Sequence, residues 1–246
     1  MTSQIQNLLA RILEKKSRYD GLKPFSRAME ESFYAASRIE LTYHSNAIEW
    51  NTLTLAETAL VINEQANISG KKLREIYEAR NHDRALMYVE ELAKSKKEID
   101  ETDILKIHDI VLRDIDDEYS GRYRDVPVRI SGSMVVLPNP LKVPSLMEEF
   151  AKSLCVPDSD MLIFSALKKY EFIAMHPFID GNGRTSRLLW NYFLLKNGYP
   201  LAHIDIADRP RYMNALGKMD IWDSEDYLML MLEAVERSLD QFMDSL

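Results

Sequence analysis

The chain has 246 residues, of which 46% are apolar and 28% are charged. This length allows one large domain or two small ones, and the composition is that of a soluble globular protein rather than a disordered chain. With 8 glycines and 9 prolines, turn formers are too scarce for the many short strands of an all-β fold. We therefore predict a mainly all-α protein.

Charge and cysteine content exclude several classes of protein. The formal net charge of −8 argues against a nucleic-acid binder, although an anionic small ligand needs only two or three cations. The single thiol, Cys155, cannot form an intrachain disulfide. No apolar run reaches the roughly 18 residues of a membrane helix, and the N-terminus lacks the features of a signal peptide. We expect a cytoplasmic protein with no nucleic-acid or membrane partner.

Apolar residues recur with helical spacing along most of the chain. The predicted helices cover residues 4–20, 25–44, 55–65, 72–97, 102–112, 145–154, 160–176, 184–198, 209–218 and 223–243. Residues 45–57 are predicted to be a polar junction, and near its end Thr54 and Glu57 fit a capping box that opens the next helix.

Turn formers concentrate in residues 119–144, between two groups of predicted helices. Two runs of β-prone residues, 126–130 and 134–138, flank a Ser-Gly-Ser turn. This pattern predicts a short β-hairpin. No segment has the character of a linker between domains, so we predict one mostly helical unit with an inserted hairpin.

The segment HPFIDGNGRTSR, residues 176–187, is the most informative stretch for chemistry. An apolar helix ends at His176, and Gly181 and Gly183 in the following turn can take a positive φ that lets a ligand approach the backbone. Another helix starts directly after the turn. Its free N–H groups and its dipole make an anion site of the kind that binds phosphates.

Charged side chains complete this predicted anion site. Arg184 and Arg187 are three residues apart and share one helical face, where two guanidinium groups can hold two phosphates. Asp180 supplies a carboxylate oxygen that suits a phosphate-bound Mg²⁺. His176 lies at the lip of the turn, where it can act as a base near neutral pH.

This segment resembles the signature of the Fic (Fido) family: a histidine, any residue, phenylalanine, any residue, an acidic residue, Gly-Asn-Gly-Arg, any two residues and an arginine. Every specified position is met, which makes chance agreement negligible. The preceding helix, the hairpin, GRYR at 121–124 and the following RLLWNYFLLKNGYP also fit, so the resemblance covers about residues 40–235. It implies a Fic-type helical bundle with an N-terminal helical region, 1–44, and a catalytic domain, 45–246, together forming one compact unit.

The resemblance implies a protein adenylyltransferase, which uses ATP and Mg²⁺ to transfer AMP to a Tyr, Thr or Ser hydroxyl of a protein. It implies that His176 is the general base, that Phe178 is the buried anchor of the loop and that Asp180 holds the Mg²⁺. The implied ATP-binding residues are Gly181, Asn182 and Gly183 in the anion hole, Arg184 on the side of the β-phosphate and Arg187 at the γ-phosphate.

The predicted hairpin matches the flap of the family, which aligns the target protein by strand addition. The flap residues are Val128, Arg129, Ile130, Ser131, Gly132, Ser133 and Met134. The implied partner is a protein that bears a hydroxyl side chain. The sequence leaves open whether the chain modifies itself and whether it forms a homo-oligomer.

Residues 45–51 resemble the inhibitory helix that Fic proteins can carry, with Ser or Thr, three residues, Glu, and then Gly or Asn. Ser45 and Glu49 match this pattern and Asn51 follows, but Trp50 stands where Gly is usual. Four residues apart, Ser45 and Glu49 share a helical face. The resemblance implies that Glu49 pairs with Arg187 in cis and removes the cation that the γ-phosphate needs.

Two other functions stay open at this point. The site could remove AMP, with Glu49 positioning a water, or use another diphosphate-containing donor. The chain could instead be an inactive nucleotide-sensing or protein-binding module, locked by its inhibitory helix. The remaining histidines have no metal-ligand spacing, so surface or core polar roles are predicted for His44, His82, His108 and His203. Tyr212 fits equally well near an adenine or in the core.

Overall fold

The computed structural model describes residues 2–95, 97–130, 135–155 and 160–245. Helices dominate this part of the chain, as the composition predicts. They are α1 (Ser3–Gly21), α2 (Arg27–Ile48), α3 (Leu55–Asn63), α4 (Leu73–Lys94), α5 (Glu101–Leu112), α6 (Val143–Lys152), α7 (Met161–Met175), α8 (Asn182–Lys196), α9 (Arg209–Met219) and α10 (Glu225–Asp244). Short 3-10 helices at Pro140–Lys142 and Ile206–Asp208 precede α6 and α9.

The boundaries of α2 and α3 show how local sequence sets these helices. The Thr54 hydroxyl accepts a hydrogen bond from the Glu57 N–H, and the Glu57 carboxylate accepts one from the Thr54 N–H, so the predicted capping box opens α3. In contrast, α2 continues to Ile48, inside the segment predicted as a polar junction. The longer helix buries Ile48 completely. The predicted division between residues 44 and 45 therefore falls within α2, and it stays a prediction.

The core surrounds α8, which is buried on almost every face from Asn182 to Leu194. Trp190 and Leu194 pack into the cluster that α1 and α10 contribute to. Leu188 and Phe193 pack into a second cluster with residues of α4, α5 and α6. A helix that is buried on almost every face lies in the middle of a bundle, and α8 does so although it also buries polar residues such as Arg184, Arg187 and Asn191. The packing of α8 thereby fixes the position of its N-terminus, where the glycine-rich turn lies.

The first and last helices pack against each other at one side of the bundle. Apolar residues such as Ile12 fill this interface, together with residues of α10. Ion pairs of Arg11 and Lys15 with Glu236, and of Lys15 with Asp240, cross its edge. Residues of the predicted N-terminal region thus belong to the same hydrophobic core as the C-terminal helix α10.

The β-hairpin predicted over 126–138 is not seen. Residues 126–130 and 135–138 form no strand, and Ser131, Gly132, Ser133 and Met134 lie outside the described residues. The carbonyl groups of Val126 and Pro138 accept hydrogen bonds from the Arg124 side chain. These two carbonyls are therefore engaged by a guanidinium rather than by a facing strand.

Within the described ranges, no helix combines the length and the apolar character that crossing a membrane requires.

The interface of α1 with α10 yields a test of stability. Ile12 is fully buried, whereas its neighbour Leu13 is 57% exposed. We expect Ile12→Ala to lower the free energy of unfolding by about 2–5 kcal/mol, because it leaves a cavity in the core. Leu13→Ala is the matched control and should change it by less than about 0.5 kcal/mol. Urea denaturation followed by circular dichroism measures both, and equal effects would contradict the packing described.

Candidate active site

The connection between α7 and α8 is a tight loop built on two left-handed residues. His176 ends α7 with φ 46° and ψ 60°, and Gly181 precedes α8 with φ 76°. A Cβ on Gly181 would lie 3.3 Å from two ring atoms of His108, so both the backbone angle and the close contact favour glycine there. The prediction of a positive φ is confirmed for Gly181.

The same prediction is wrong for Gly183, which lies in the first turn of α8 rather than in the loop. Glycine is needed there for space. A Cβ at this position would lie 2.1 Å from Oε1 of Glu49 and 3.1 Å from Nη1 of Arg187. The Glu49 carboxylate thus rests directly against the backbone of the helix start, where an anion is most stabilised.

Phe178 fixes the loop from inside. Its side chain is fully buried, and its ring stacks on that of His108 with 3.5 Å between centroids and 5° between planes. The side-chain amide of Asn182 accepts from the Phe178 N–H at 3.0 Å and donates to the Phe178 carbonyl at 2.8 Å. The Asn182 side chain therefore closes the loop.

His108 is a second support, for which the sequence predicted only a general polar role. Its Nδ1 accepts a hydrogen bond from the Gly121 N–H at 3.1 Å, so Nε2 carries the proton and donates to the Asp180 carbonyl at 3.0 Å. Burial lowers the pKa of His108 to about 4. The ring is therefore neutral near pH 7, as this pair of hydrogen bonds requires.

A pocket of about 100 Å³ opens above the loop. It is lined by Glu49, His176, Ile179, Asp180, Gly181, Asn182, Gly183 and Arg184. Burial, and then the charge of Arg124, lowers the pKa of His176 to about 4. The imidazole at this pocket is therefore neutral at pH 7 and can accept a proton.

Asp180 and Arg184 form an ion pair in the pocket. The Asp180 carboxylate accepts hydrogen bonds from Arg74 at 2.6 Å, from the Gly181 N–H at 2.6 Å and from Arg184 at 3.3 Å. Burial opposes ionisation of Asp180, but Arg184, the Gly181 N–H and Arg74 outweigh it and lower the pKa of Asp180. The carboxylate is therefore anionic at neutral pH.

Arg184 is almost fully buried, yet its donors are not all used. Its Nε and Nη1 are buried without a hydrogen bond, and Nη1 lies 3.4 Å from a carboxylate oxygen of Glu78. Buried guanidinium donors without acceptors are costly. The Arg184 guanidinium can therefore donate hydrogen bonds to an anionic ligand.

Arg187 joins the helix start to the end of α2. Its Nε donates to the Ser45 hydroxyl at 2.8 Å, and its Nη2 donates to the Ser45 carbonyl and to the Glu49 carboxylate, each at 2.8 Å. The structure thus brings together the pair that the sequence placed 138 residues apart. Arg187 is 2% exposed in this arrangement, so water does little to stabilise its charge. The carboxylate of Glu49, which forms an ion pair with it, balances that charge.

Trp50 takes the position where glycine is usual, and the end of α2 keeps the glycine geometry. Its φ is 71°, its N–H donates to the Ala47 carbonyl, and the Asn51 N–H donates to the Asn46 carbonyl, which is the Schellman pattern. The guanidinium of Arg209 lies 3.8 Å from the centroid of the Trp50 ring. Its Nε also donates to the Ile48 carbonyl at 2.9 Å. Arg209 thus stabilises the last turn of α2 from outside.

Other candidates take structural positions. Tyr212 is 1% exposed, and the buried Lys169 donates to its hydroxyl, so it belongs to the core. Sequence reasoning missed the roles of Arg74, Glu78 and Arg124. Only Arg124 lies in a stretch that the resemblance had noted, GRYR, and no local pattern marked the other two.

Comparisons with known proteins agree with this geometry. Residues 98–194 match the sequence model of the Fic/DOC family. A protein named Protein adenylyltransferase Fic from Nematostella vectensis is 34% identical over 248 residues, which cover 98% of this chain and 56% of that protein. Its namesake from Drosophila grimshawi is 34% identical over 220 residues, covering 88% and 44%. The chain spans about half the length of these curated relatives.

Solved structures give the same result over the whole fold. A Fic family protein from Desulfovibrio desulfuricans G20 has a TM-score of 0.80 at 31% identity, with 100% of this chain and 75% of that chain covered. Fic-1 from C. elegans has a TM-score of 0.87 at 26% identity, covering 98% and 72%. A helical bundle with a glycine-rich anion loop at its central helix is the class that fold and site define. The chain belongs to the Fic/DOC family.

The end of α2 yields a second test. We expect Trp50→Ala to destabilise the chain by about 0.5–1 kcal/mol. This variant loses the cation–π contact with Arg209, and its alanine must still adopt the positive φ at position 50. Trp50→Gly loses the same contact but relieves the backbone strain, so its stability should stay within about 0.5 kcal/mol of the parent.

Chemical denaturation of both variants measures the difference. Trp222→Ala is the matched control, because Trp222 has φ 66° and is 95% exposed. That variant should unfold like the parent. An alanine at position 50 that is as stable as glycine there would contradict the assigned geometry.

Proposed function

We propose that the chain is a protein adenylyltransferase, which transfers AMP from ATP to a Tyr, Thr or Ser hydroxyl of a protein and is restrained by its own Glu49. One observation carries this proposal. The Glu49 carboxylate rests against Gly183 and pairs with Arg187, at the helix start where an anionic ligand is favoured. A site of this kind suits a triphosphate, and the names of the curated relatives agree with it.

ATP would bind along the start of α8. The backbone N–H groups of Asn182 and Gly183 would receive its phosphates, which is the chemistry that a helix N-terminus offers. The Gly181 N–H donates to the Asp180 carboxylate in this structure and would join the anion hole by turning from that carboxylate to a phosphate. Arg184, with its unused donors, would hold the β-phosphate. Arg187 would hold the γ-phosphate after releasing Glu49. Both arginines lie on one face of α8, so the two phosphates can be held together.

Asp180 fits the Mg²⁺ that ATP-dependent transfer needs. Its carboxylate lines the pocket and is anionic at neutral pH, since its pKa is lowered. In sites of this kind the protein usually supplies one or two carboxylate oxygens to Mg²⁺, and substrate phosphates and water supply the other ligands. When bound, the ion would neutralise phosphate charge and orient the α- and β-phosphates.

His176 is the proposed general base. The target hydroxyl oxygen forms a bond to the α-phosphorus, the bond from that phosphorus to the pyrophosphate oxygen breaks, and the hydroxyl proton passes to the imidazole. Pyrophosphate leaves, and AMP stays on the target.

Because the pKa of His176 is lowered to about 4, the base is deprotonated throughout the range from pH 5.5 to 8. The rate of AMP transfer should therefore not change with pH across this range.

Inhibition follows from competition for one cation. While Glu49 holds Arg187, the γ-phosphate meets a carboxylate where it needs a guanidinium, and like charges at contact distance repel. ATP is then displaced from the pose that aligns its α-phosphate with His176. Ser45 contributes by holding the same guanidinium from its other edge.

The target would dock along the flap residues predicted above, of which Val128, Arg129 and Ile130 lie in the described part of the chain. An extended target segment would present its hydroxyl there. The chain itself is one candidate target. Self-association would be a means of controlling α2, and it stays a prediction.

The first functional test uses ATP labelled at the α-phosphate, with the chain and a whole-cell protein extract as acceptors. We expect Glu49→Gly to raise labelling about tenfold or more, because it frees Arg187 from a charge-assisted bond of about 1.5–3 kcal/mol. Adding His176→Ala should lower it by about 10²–10⁴-fold. Glu64→Gly is the matched control, because Glu64 ends α3 as Glu49 ends α2. Equal labelling of the Glu49 and His176 variants would refute the mechanism.

The second functional test concerns the metal. In the Glu49→Gly background, calorimetry should show tighter ATP binding with MgCl₂ than with EDTA. Adding Asp180→Asn should reduce this gain severalfold, since the carboxylate supplies the only proposed protein ligand. Asp117→Asn, an exposed carboxylate elsewhere on the surface, should leave the gain unchanged. If Asp180→Asn retains the full gain, Asp180 does not hold the ion.

A further inference from the structure

Arg124 is a buried arginine whose hydrogen-bond acceptors, within the described part of the chain, are backbone carbonyls. It is 2% exposed and, among the described residues, pairs with no carboxylate. Its Nε donates to the His176 carbonyl at 2.8 Å, its Nη2 to the Pro138 carbonyl at 2.7 Å and its Nη1 to the Val126 carbonyl at 3.3 Å. Its backbone N–H donates to the Pro177 carbonyl at 3.0 Å.

These carbonyls belong to two separate parts of the site. His176 and Pro177 open the glycine-rich loop, while Val126 and Pro138 are the two ends of the predicted flap. A single side chain thus joins the loop to both ends of the segment. Only a guanidinium offers enough donors in a fixed plane to reach three carbonyls, since a lysine presents one nitrogen.

A buried cation without an anionic partner is costly, and an apolar residue would usually serve stability better. The position therefore needs a reason other than packing. We propose that Arg124 is a positioning residue, which fixes Val126 and Pro138 relative to the His176 imidazole so that a hydroxyl presented beside these two residues meets the base. This inference rests on the proposed transfer reaction.

Arg124 also acts on His176 through its charge. After burial, the charge of Arg124 is the largest influence that lowers the pKa of His176. Glu49 and Asp180 are the charged groups that act in the opposite direction. Removing the charge of Arg124 should therefore raise this pKa, and a change that keeps the charge should not.

Three substitutions in the Glu49→Gly background separate these effects. Arg124→Lys keeps the charge and loses the planar fork, whereas Arg124→Met loses both. Arg122→Met is the matched control, because Arg122 is an exposed neighbour that pairs with Asp125. We expect AMP labelling to fall roughly 10²-fold in both Arg124 variants, as for misplaced reacting groups, and to be unchanged in the control. ATP binding by calorimetry should stay within about twofold in all three.

Nuclear magnetic resonance supplies readouts that need no turnover. The pKa of His176 should rise in Arg124→Met and stay near its parental value in Arg124→Lys. Amide exchange at Phe178 should accelerate in both, because the loop loses a support. Should Arg124→Met lose ATP binding through misfolding, Arg124→Lys alone decides.

Labelling within about twofold of the parent in Arg124→Lys, or parental exchange at Phe178 in both variants, would overturn the positioning role. If the Glu49→Gly parent itself transfers no label, the proposed function fails instead. The exchange measurement then still decides whether Arg124 holds the loop.

Discussion

The start of α8 carries a concentration of buried positive charge that needs an anion. Arg184 and Arg187 are each 2% exposed and lie within one turn of each other, at the positive end of the helix dipole. The two guanidinium groups also affect their neighbours. Burial and then Arg187 lower the pKa of His82 to about 3, so its ring is neutral at pH 7, and the same two causes lower the pKa of Lys169. Glu49 supplies this anion in the structure, and under the proposed function a ligand phosphate would compete with it on electrostatic grounds.

The glycine-rich loop that presents this charge is held both by its own residues and by side chains from other parts of the chain. Phe178 stacks on His108, Asn182 closes the loop by two hydrogen bonds, and Arg124 ties it to the 126–138 segment. Because His108 and Arg124 support the loop from outside and Asn182 closes it from within, the loop is shaped without a ligand. A site that is organised beforehand loses little entropy on binding and stabilises developing charge more effectively.

Much of the fold could be predicted because it depends on local patterns. Helical periodicity located the helices, and the twelve-residue motif located the loop, since each residue type there has a physical task. The role of Gly183 could not be predicted, because it depends on the distance to Glu49, which is remote in sequence. The same holds for His108 and Arg74, whose partners on Asp180 come from the loop after α7. The predicted hairpin is not seen in the described residues, where Arg124 donates to the carbonyls of Val126 and Pro138, a contact that β-prone residue types do not reveal.

Glu49 is the C-cap of α2, directly after Ile48 at the end of a helix of 22 residues, and this placement affects how readily its carboxylate is released. Helix termini fray far more readily than helix centres, since few hydrogen bonds are lost when a final turn opens. Opening of this final turn would release the carboxylate while the remainder of α2 stays packed. The stacking of Arg209 on Trp50 lies at this turn and adds to the work of opening it. Under the proposed function, the activity of the inhibited chain would follow this local opening equilibrium rather than the free energy of global unfolding.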